Sequence, residues 1–363
     1  MEHLSTQTPE RSMGLDLGDR YCHYYGVNRE GELIGEGRVR TEAAALRELF
    51  GGMDRTVVAL EVGTHSPWVS RLLEDCGHEV VLANPRQVPL IHQNHRKCDE
   101  LDAEQLCRLV RYDRKLLKPL RHRSRAAQAH RSGLASRDAL VRTRTRLVAH
   151  VRGVVKSLGG RVPSCDACSF HKRAREHLPE DSSLALEEVI ELIETVTEKI
   201  RRIDRAIEDA TVKRYPEARR LMEVDGVGPL TALAFVLTVD DPRRFAHSRS
   251  VGPYAGLVPR RDDSGQQRPQ LGITKAGDGY LRRLLVTAAH HILGPRGKDC
   301  DLRRWGLELA RRGGKAGKKR AVVALARKLA VVLLALWRSG EPYEPFREAK
   351  PKRARRAKQA VST

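Results

Sequence analysis

Residues 12–18 read Ser12-Met13-Gly14-Leu15-Asp16-Leu17-Gly18, an apolar run with one acid set into it and a glycine on either side of that acid. A carboxylate inside a buried strand costs desolvation free energy, so its presence there asks for a chemical reason. Working outward, Tyr21–Val27 continues as a second strand and Gly31–Arg40 as a third, beyond the Asn28–Gly31 turn. Thr41–Phe50 carries a helical pattern, Arg55–Val62 is a strongly apolar strand and His65–Cys76 a helix. Glu79–Ala83 is a further strand, closed by Asn84-Pro85. Three hairpin-like strands, then strands alternating with helices, is the order of an α/β domain of the ribonuclease-H-like (RuvC-like) type, expected over residues 12–113.

Within that frame the acids fall at telling places. Glu61 ends the apolar run Val57-Val58-Ala59-Leu60, so a carboxylate emerges at the end of a central strand. Asp99 and Asp102 stand three apart at the start of a helix expected over Asp99–Asp113, hence on one face near its N-terminus. Hard divalent cations such as Mg²⁺ or Mn²⁺ take clustered oxygen ligands, and two such ions clamp an in-line attack on phosphorus. Singly, Asp16 also reads as a strand-end turn residue and Asp99 as a helix N-cap. Together, Asp16, Glu61, Asp99 and Asp102 form the candidate catalytic and metal-ligating set.

The chain has 363 residues, enough for two or three domains, and a net charge of +21. That charge is uneven. Residues 1–113 hold 13 Lys/Arg against 19 Asp/Glu, a balance of −6, and the remainder holds 54 against 27, a balance of +27. A basic body joined to an acidic domain suits a polyanion held by one part and processed by another. The seven cysteines are scattered and no signal peptide is expected ahead of them. A reducing cytoplasm is the simplest account. The longest apolar run near the end, Leu329–Trp337, has nine residues against the ~20 that a membrane span needs, and reads as a buried helix. Cys165-x-x-Cys168 with His171 lacks a nearby fourth ligand, so no zinc site is expected.

Residues 114–160 form a basic helical segment expected to bind nucleic acid. From Lys115 to Leu158 it holds twelve Lys/Arg against one acid, Asp138, with Arg142, Arg144 and Arg146 fanning around the helix. Over 181–215, Leu186, Val189, Ile193, Val196, Ile200, Ile203, Ile207 and Ala210 recur at alternating spacings of three and four. That is a heptad seam, expected to form a coiled coil within the chain or between subunits, although an amphipathic helix on a core has the same signature. A mostly helical domain follows over 219–339, and a basic tail over 340–363.

In that last domain Gly226-Val227-Gly228 opens a helix at Pro229, as in a helix-hairpin-helix element, where backbone N–H groups can meet a phosphate. Further on come Tyr254-Ala255-Gly256-Leu257-Val258-Pro259, Asp263-Ser264-Gly265, Gly272-Ile273-Thr274-Lys275, Gly277-Asp278 and Leu281-Arg282. On its residues alone Ser264 is a loop serine among cations: Arg260, Arg261, Arg268, Lys275 and Arg282.

Residues 12–113 resemble the N-terminal domain of the DEDD transposases of insertion sequences, the family numbered one hundred and ten. The matching features are Gly14-Leu15-Asp16-Leu17-Gly18, Leu60-Glu61, Asn84-Pro85 and Lys97-Cys98-Asp99-Glu100-Leu101-Asp102-Ala103. The motifs from Val224 to Arg282 resemble, in order, the C-terminal transposase domain of the same family. The resemblance implies that Ser264 is the nucleophile that forms a covalent link to a DNA 5′-phosphate, and that Mg²⁺ or Mn²⁺ sits at the four acids. By their charge and placement, Gly226, Gly228, Arg260, Arg261, Arg268, Lys275 and Arg282, with Arg142 and Arg146, are the candidate nucleic-acid contacts. Donor and target DNA, a noncoding bridge RNA encoded by the element, and assembly as a tetramer follow from the same resemblance, with composite sites pairing the acids of one subunit with the serine of another. Two rival expectations remain: a RuvC-like metal-dependent nuclease for branched DNA that makes no covalent intermediate, and a non-enzymatic nucleic-acid-binding assembly protein.

Overall fold

The computed structural model describes residues 9–86, 99–180, 184–264, 267, 269 and 271–347. They divide into two compact units, Met1–His122 and Arg123–Thr363.

The first unit is a mixed α/β layer. Its strands are β1 (Arg11–Leu17), β2 (Tyr21–Asn28), β3 (Leu33–Arg40), β4 (Val57–Glu61) and β5 (Glu79–Ala83). They lie in the order β3-β2-β1-β4-β5, with β1 antiparallel to β2 and parallel to β4, and β4 parallel to β5. The β2–β3 turn is fixed by the Asn28 side chain, whose Oδ1 accepts from the Gly31 and Glu32 amides at 2.9 and 2.8 Å. Gly31 there takes φ +94°, a conformation that L side chains rarely adopt. Helices α1 (Ala43–Gly51), α2 (Ser66–Asp75) and α3 (Asp99–Tyr112) complete the layer.

The apolar run of β4 has a simple explanation. Val58 and Leu60 pack with Leu46, Phe50, Val69 and Leu73 of α1 and α2, while Val57 and Ala59 pack with Leu106 and Val110 of α3. A strand covered on both faces needs no polar alternation. Glu61 comes where that cover ends.

The second unit is helical: α4 (Arg125–Ser157), α5 (Phe170–Arg175), α6 (Leu184–Arg214), α7 (Pro216–Leu221), α8 (Pro229–Val239), α9 (Val251–Tyr254), α10 (Gly279–Leu293), α11 (Asp301–Arg312) and α12 (Gly317–Ser339). Helices α4 and α6 run side by side in opposite directions. Arg137 meets Asp204, Arg144 donates to Thr197 at 3.3 Å, and Val151 and Val155 pack with Leu186, Ile190 and Ile193. The heptad seam of α6 is therefore covered by its own chain. Leu186, Ile193, Val196, Ile200 and Ile207 are buried, and Val189, Ile203 and Ala210 half-buried. Ile190, Thr197 and Thr211 are buried as well, so the covered face is broader than a two-position seam. On α4, Arg144 is buried, whereas Arg142 and Arg146 are exposed.

Helix α8 forms the centre of the remaining helices, buried at every position from Thr231 to Val239. Around it pack apolar residues of α10 and α12, among them Leu281, Leu285, Leu329 and Leu333. Leu329–Trp337 lies within α12, and no helix among the described residues is long and apolar enough to cross a membrane. Of the basic tail, residues 348–363 lie outside the described residues.

Candidate active site

Strand β1 carries Asp16 next to its C-terminal end, and the parallel register Leu15↔Leu60 sets Glu61 beside it at the end of β4. In open α/β sheets the carboxyl ends of parallel strands are where ligand sites form, because side chains there escape the core. Helix α3 crosses β1 very closely: a β-carbon on Gly14 would stand 1.9 Å from the Ala103 carbonyl oxygen and 2.6 Å from the Cys107 nitrogen. Only a glycine admits the helix at that distance. Its first turn brings Asp99, Glu100 and Asp102, with Asp102 buried and Asp99 exposed.

The electrostatics of Asp16 report the result. Its pKa is raised from 3.8 to about 6, first by burial, then by the charges of Asp99, Asp102 and Glu61, with His23 acting in the opposite direction. The other three sequence-predicted acids thus act on the Asp16 carboxyl group. Among the described residues, Asp16, His23 and Asp99 each offer a ligand atom within 4.8 Å of the others. Two atoms bound to one ion at roughly 2.1–2.4 Å lie at most about 4.2–4.8 Å apart, so this donor set suits a divalent cation.

His23 is the residue that sequence reasoning missed. It pairs with Asp16 across the β1–β2 register, and its Nδ1 lies 3.8 Å from an Asp99 carboxylate oxygen. That nitrogen is buried and makes no hydrogen bond. The only signal for it in the sequence is the strand pairing itself. Beyond the same strand ends, His65 accepts from Trp68 Nε1 at 3.2 Å and faces Asp19 at 3.4 Å.

Ser264 belongs to the second unit. The described residues before and after it pair with one another, Thr274 N donating to Val258 O and Arg260 N to Gly272 O, both at 2.9 Å. Ser264 and Gln267 exchange backbone hydrogen bonds further along, and Ser264 is exposed. The motif residues around this hairpin form its root. Gly256 and Gly277 have φ +67° and +70°, and a β-carbon on either would stand about 2 Å from a backbone oxygen. Arg282 donates to the Ala255 and Ala276 carbonyls at 3.0 and 2.9 Å. Asp278 caps α10 through the Tyr280 and Leu281 amides.

The predicted nucleic-acid contacts therefore differ in kind. Arg260, Arg261 and Lys275 are exposed along the hairpin, Arg282 is half-buried at its root, and Arg268 lies outside the described residues. Gly226 has φ +80° and passes close to α10, near Ala288 and Ile292, while Gly228 faces open space at the N-terminus of α8. Arg142 is exposed and paired with Asp138, which also holds Arg283. Arg146 is exposed on the same helix. Cys165 and Cys168 each face a guanidinium, of Arg152 and Arg144 at 3.8 and 3.9 Å, and His171 faces Glu194.

Two family models match the chain: one described as "Transposase", a DEDD transposase model of the IS110 type, over residues 13–159, and one described as "Transposase IS116/IS110/IS902 family" over residues 218–299. A "Probable family 20 transposase" of Pseudomonas aeruginosa is 32% identical over 345 residues, covering 92% of this chain and 98% of the relative. A "Putative transposase y4pF/y4sB" of Sinorhizobium fredii is 31% identical, covering 91% and 85%. The "Transposase for insertion sequence element IS1111A" of Coxiella burnetii is 29% identical, covering 91% and 90%. The chain belongs to the IS110 family of transposases.

Proposed function

We propose that this transposase cleaves and exchanges DNA strands through a covalent serine–DNA intermediate, with a divalent cation at its carboxylate cluster. One observation carries the reading: Asp16 is held up at about 6 by burial and by three further carboxylates that the sequence had grouped with it. Carboxylates kept this close repel one another, and a bound cation relieves that repulsion. The sheet order, two antiparallel pairings followed by two parallel ones, supports the ribonuclease-H-like, RuvC-like description of the first unit.

In this reading Asp16, Glu61, Asp99 and Asp102 hold Mg²⁺ or Mn²⁺, which when bound supplies Lewis-acid stabilisation of the charge that develops on a reacting phosphodiester. Ser264 Oγ attacks the phosphorus at a donor strand. The Oγ–P bond forms, the P–O3′ bond breaks, and the hydroxyl proton passes through solvent to the departing 3′ oxygen. A 3′-hydroxyl of the target strand then reverses these steps and frees Ser264. The serine ester preserves the bond energy, so no external energy source is needed. Arg260, Arg261 and Lys275 hold neighbouring phosphates, with Arg268 and the half-buried Arg282 as further candidate contacts, while Gly226 and Gly228 bring N–H groups to the DNA backbone.

The +27 balance after residue 113, with Arg142 and Arg146 exposed on α4, suits a bridge RNA beside the DNA. Tetrameric assembly would join the acids of one copy to the serine of another. Part of the α6 heptad face packs against α4 of the same chain, so in this reading assembly draws on other surfaces. The protein acts at the nucleoid, where its DNA is.

The test combines donor and target DNA, RNA transcribed from the element's noncoding flank, and Mg²⁺. Wild type exchanges strands, and Asp16→Asn abolishes exchange while leaving nucleic-acid affinity little changed. An active Asp16→Asn protein would overturn the reading.

A further inference from the structure

The second unit contains an open groove of about 1350 Å³ between the Ser264 hairpin and α12. One wall is the hairpin, through Pro259, Arg260, Asp263 and Ile273, and the other is a face of α12. On that helix Arg320, Val323, Ala324, Arg327 and Val331 recur at spacings of three and four and so share one face. The floor is apolar, made by Leu257, Val323, Val331 and Val332. Trp305 adds a ring, with the Lys328 ammonium 4.5 Å from its centroid.

The charge along this groove is one-sided. Arg249, Arg260, Lys319, Arg320 and Arg327 are all exposed and line it, and among the described residues none of the five forms an ion pair. Among the described residues the single acid in the lining is Asp263. Several cations elsewhere on this unit are matched: Arg137 with Asp204, Arg142 and Arg283 with Asp138, Arg304 with Asp299. A row of unmatched cations over an apolar floor calls for a ligand with anionic groups along one edge and apolar faces on the other.

We propose that this groove seats a single strand of nucleic acid, its phosphates on the five cations and its sugars and base faces on the valine floor. The charge complementarity selects a polyanion. The apolar floor selects a single strand over a duplex, because a duplex turns its base faces inward and would leave the valines uncovered. Asp263 and Arg260 belong both to the groove and to the hairpin, so the seated strand runs up to Ser264. The inference rests on the proposed strand-exchange reading for the identity of that strand: it is the one whose phosphate the serine takes.

The experiment measures binding of the full-length protein to a fluorescein-labelled single-stranded oligonucleotide and to a duplex of the same sequence, over a range of salt. The groove variant is Lys319→Ala/Arg320→Ala/Arg327→Ala, and the control is Lys199→Ala/Arg202→Ala/Arg205→Ala, which removes equal charge from exposed positions of α6. Circular dichroism establishes that both fold. Loss of three phosphate contacts should make the slope of log K against log salt for the single strand less negative by about 2. Single-strand affinity should fall at least roughly tenfold more than in the control, with duplex affinity less affected. Equal losses in groove and control variants, or equal losses for strand and duplex, would overturn the groove proposal alone. So would retained strand binding with an altered oligomeric mass, which would make the groove a subunit interface. A wild-type protein that binds neither nucleic acid would instead overturn the strand-exchange reading.

Discussion

Gly14 of β1 lies so close beneath Ala103 of α3 that a β-carbon on the glycine would stand 1.9 Å from the alanine's carbonyl oxygen. The contact is between backbones, so no side chain can rotate away to make room. It sets the height of α3 above the sheet, and with it the reach from Asp99 and Asp102 to Asp16. Gly14→Ala should force α3 outward, destabilising the first unit by ~1–3 kcal/mol, as overpacking of tight cores does. Divalent-cation affinity, measured by calorimetry on the folded variant, should fall with it. Unchanged melting and unchanged affinity would mean that the helix height is not set here.

The raised pKa of Asp16 gives a pH dependence with a definite sign. Native protein binds this proton more tightly than unfolded chain does, with a pKa of about 6 against 3.8. The contribution to stability is therefore fully present below about 4 and is lost as pH rises through about 6. For a shift of that size it amounts to at most about 3 kcal/mol. In cation-free buffer, Asp16→Asn should gain stability relative to wild type across this window, and saturating Mg²⁺ should abolish the gain above pH 6. Chemical denaturation of both proteins at pH 4 and pH 7 measures it. A constant difference between them would show that Asp16 is not held above its unfolded pKa.

His23 places a nitrogen donor among carboxylate oxygens, and nitrogen ligands favour later first-row metals over Mg²⁺. His23→Ala should weaken Mn²⁺ binding by roughly tenfold or more and Mg²⁺ binding less. Calorimetric titration of each metal into wild type and variant gives the two ratios directly. If His23 only ion-pairs with Asp99, removing it would leave Mn²⁺ affinity unchanged or increased.

Much of this was legible in the sequence because the signals are local. The both-face burial of β4 is written in Val57-Val58-Ala59-Leu60, and the placement of Glu61 follows from where that run stops. The spacing of Asp99 and Asp102 puts both on the first turn of α3. What was not legible depends on pairing between distant segments. His23 enters the carboxylate cluster only through the β1–β2 register, which aligns it with Asp16. The heptad of α6 announces a helix-packing face but not its partner, and the partner is α4 of the same chain, whose basic sequence suggested a free nucleic-acid surface. The groove arises where the hairpin packs over α12, although Arg320, Val323 and Arg327 are regularly spaced. Arg282 was read for nucleic-acid contact, yet its visible work, with Gly277 and Asp278, is to root the hairpin.

The central claim is that Ser264 becomes covalently attached to DNA, and one measurement addresses it most directly. Strand-exchange reactions with a labelled donor strand are stopped in denaturant and resolved under denaturing conditions. Ser264→Ala removes the attacking oxygen at an exposed position, with little change in volume and none in charge, so folding and nucleic-acid binding should survive. The account predicts a denaturant-resistant protein–DNA adduct with wild type, mapped by mass spectrometry to Ser264, and none with Ser264→Ala or Asp16→Asn. Strand exchange by Ser264→Ala at the wild-type rate, with no adduct in either protein, would contradict it and leave a nuclease that works by metal alone.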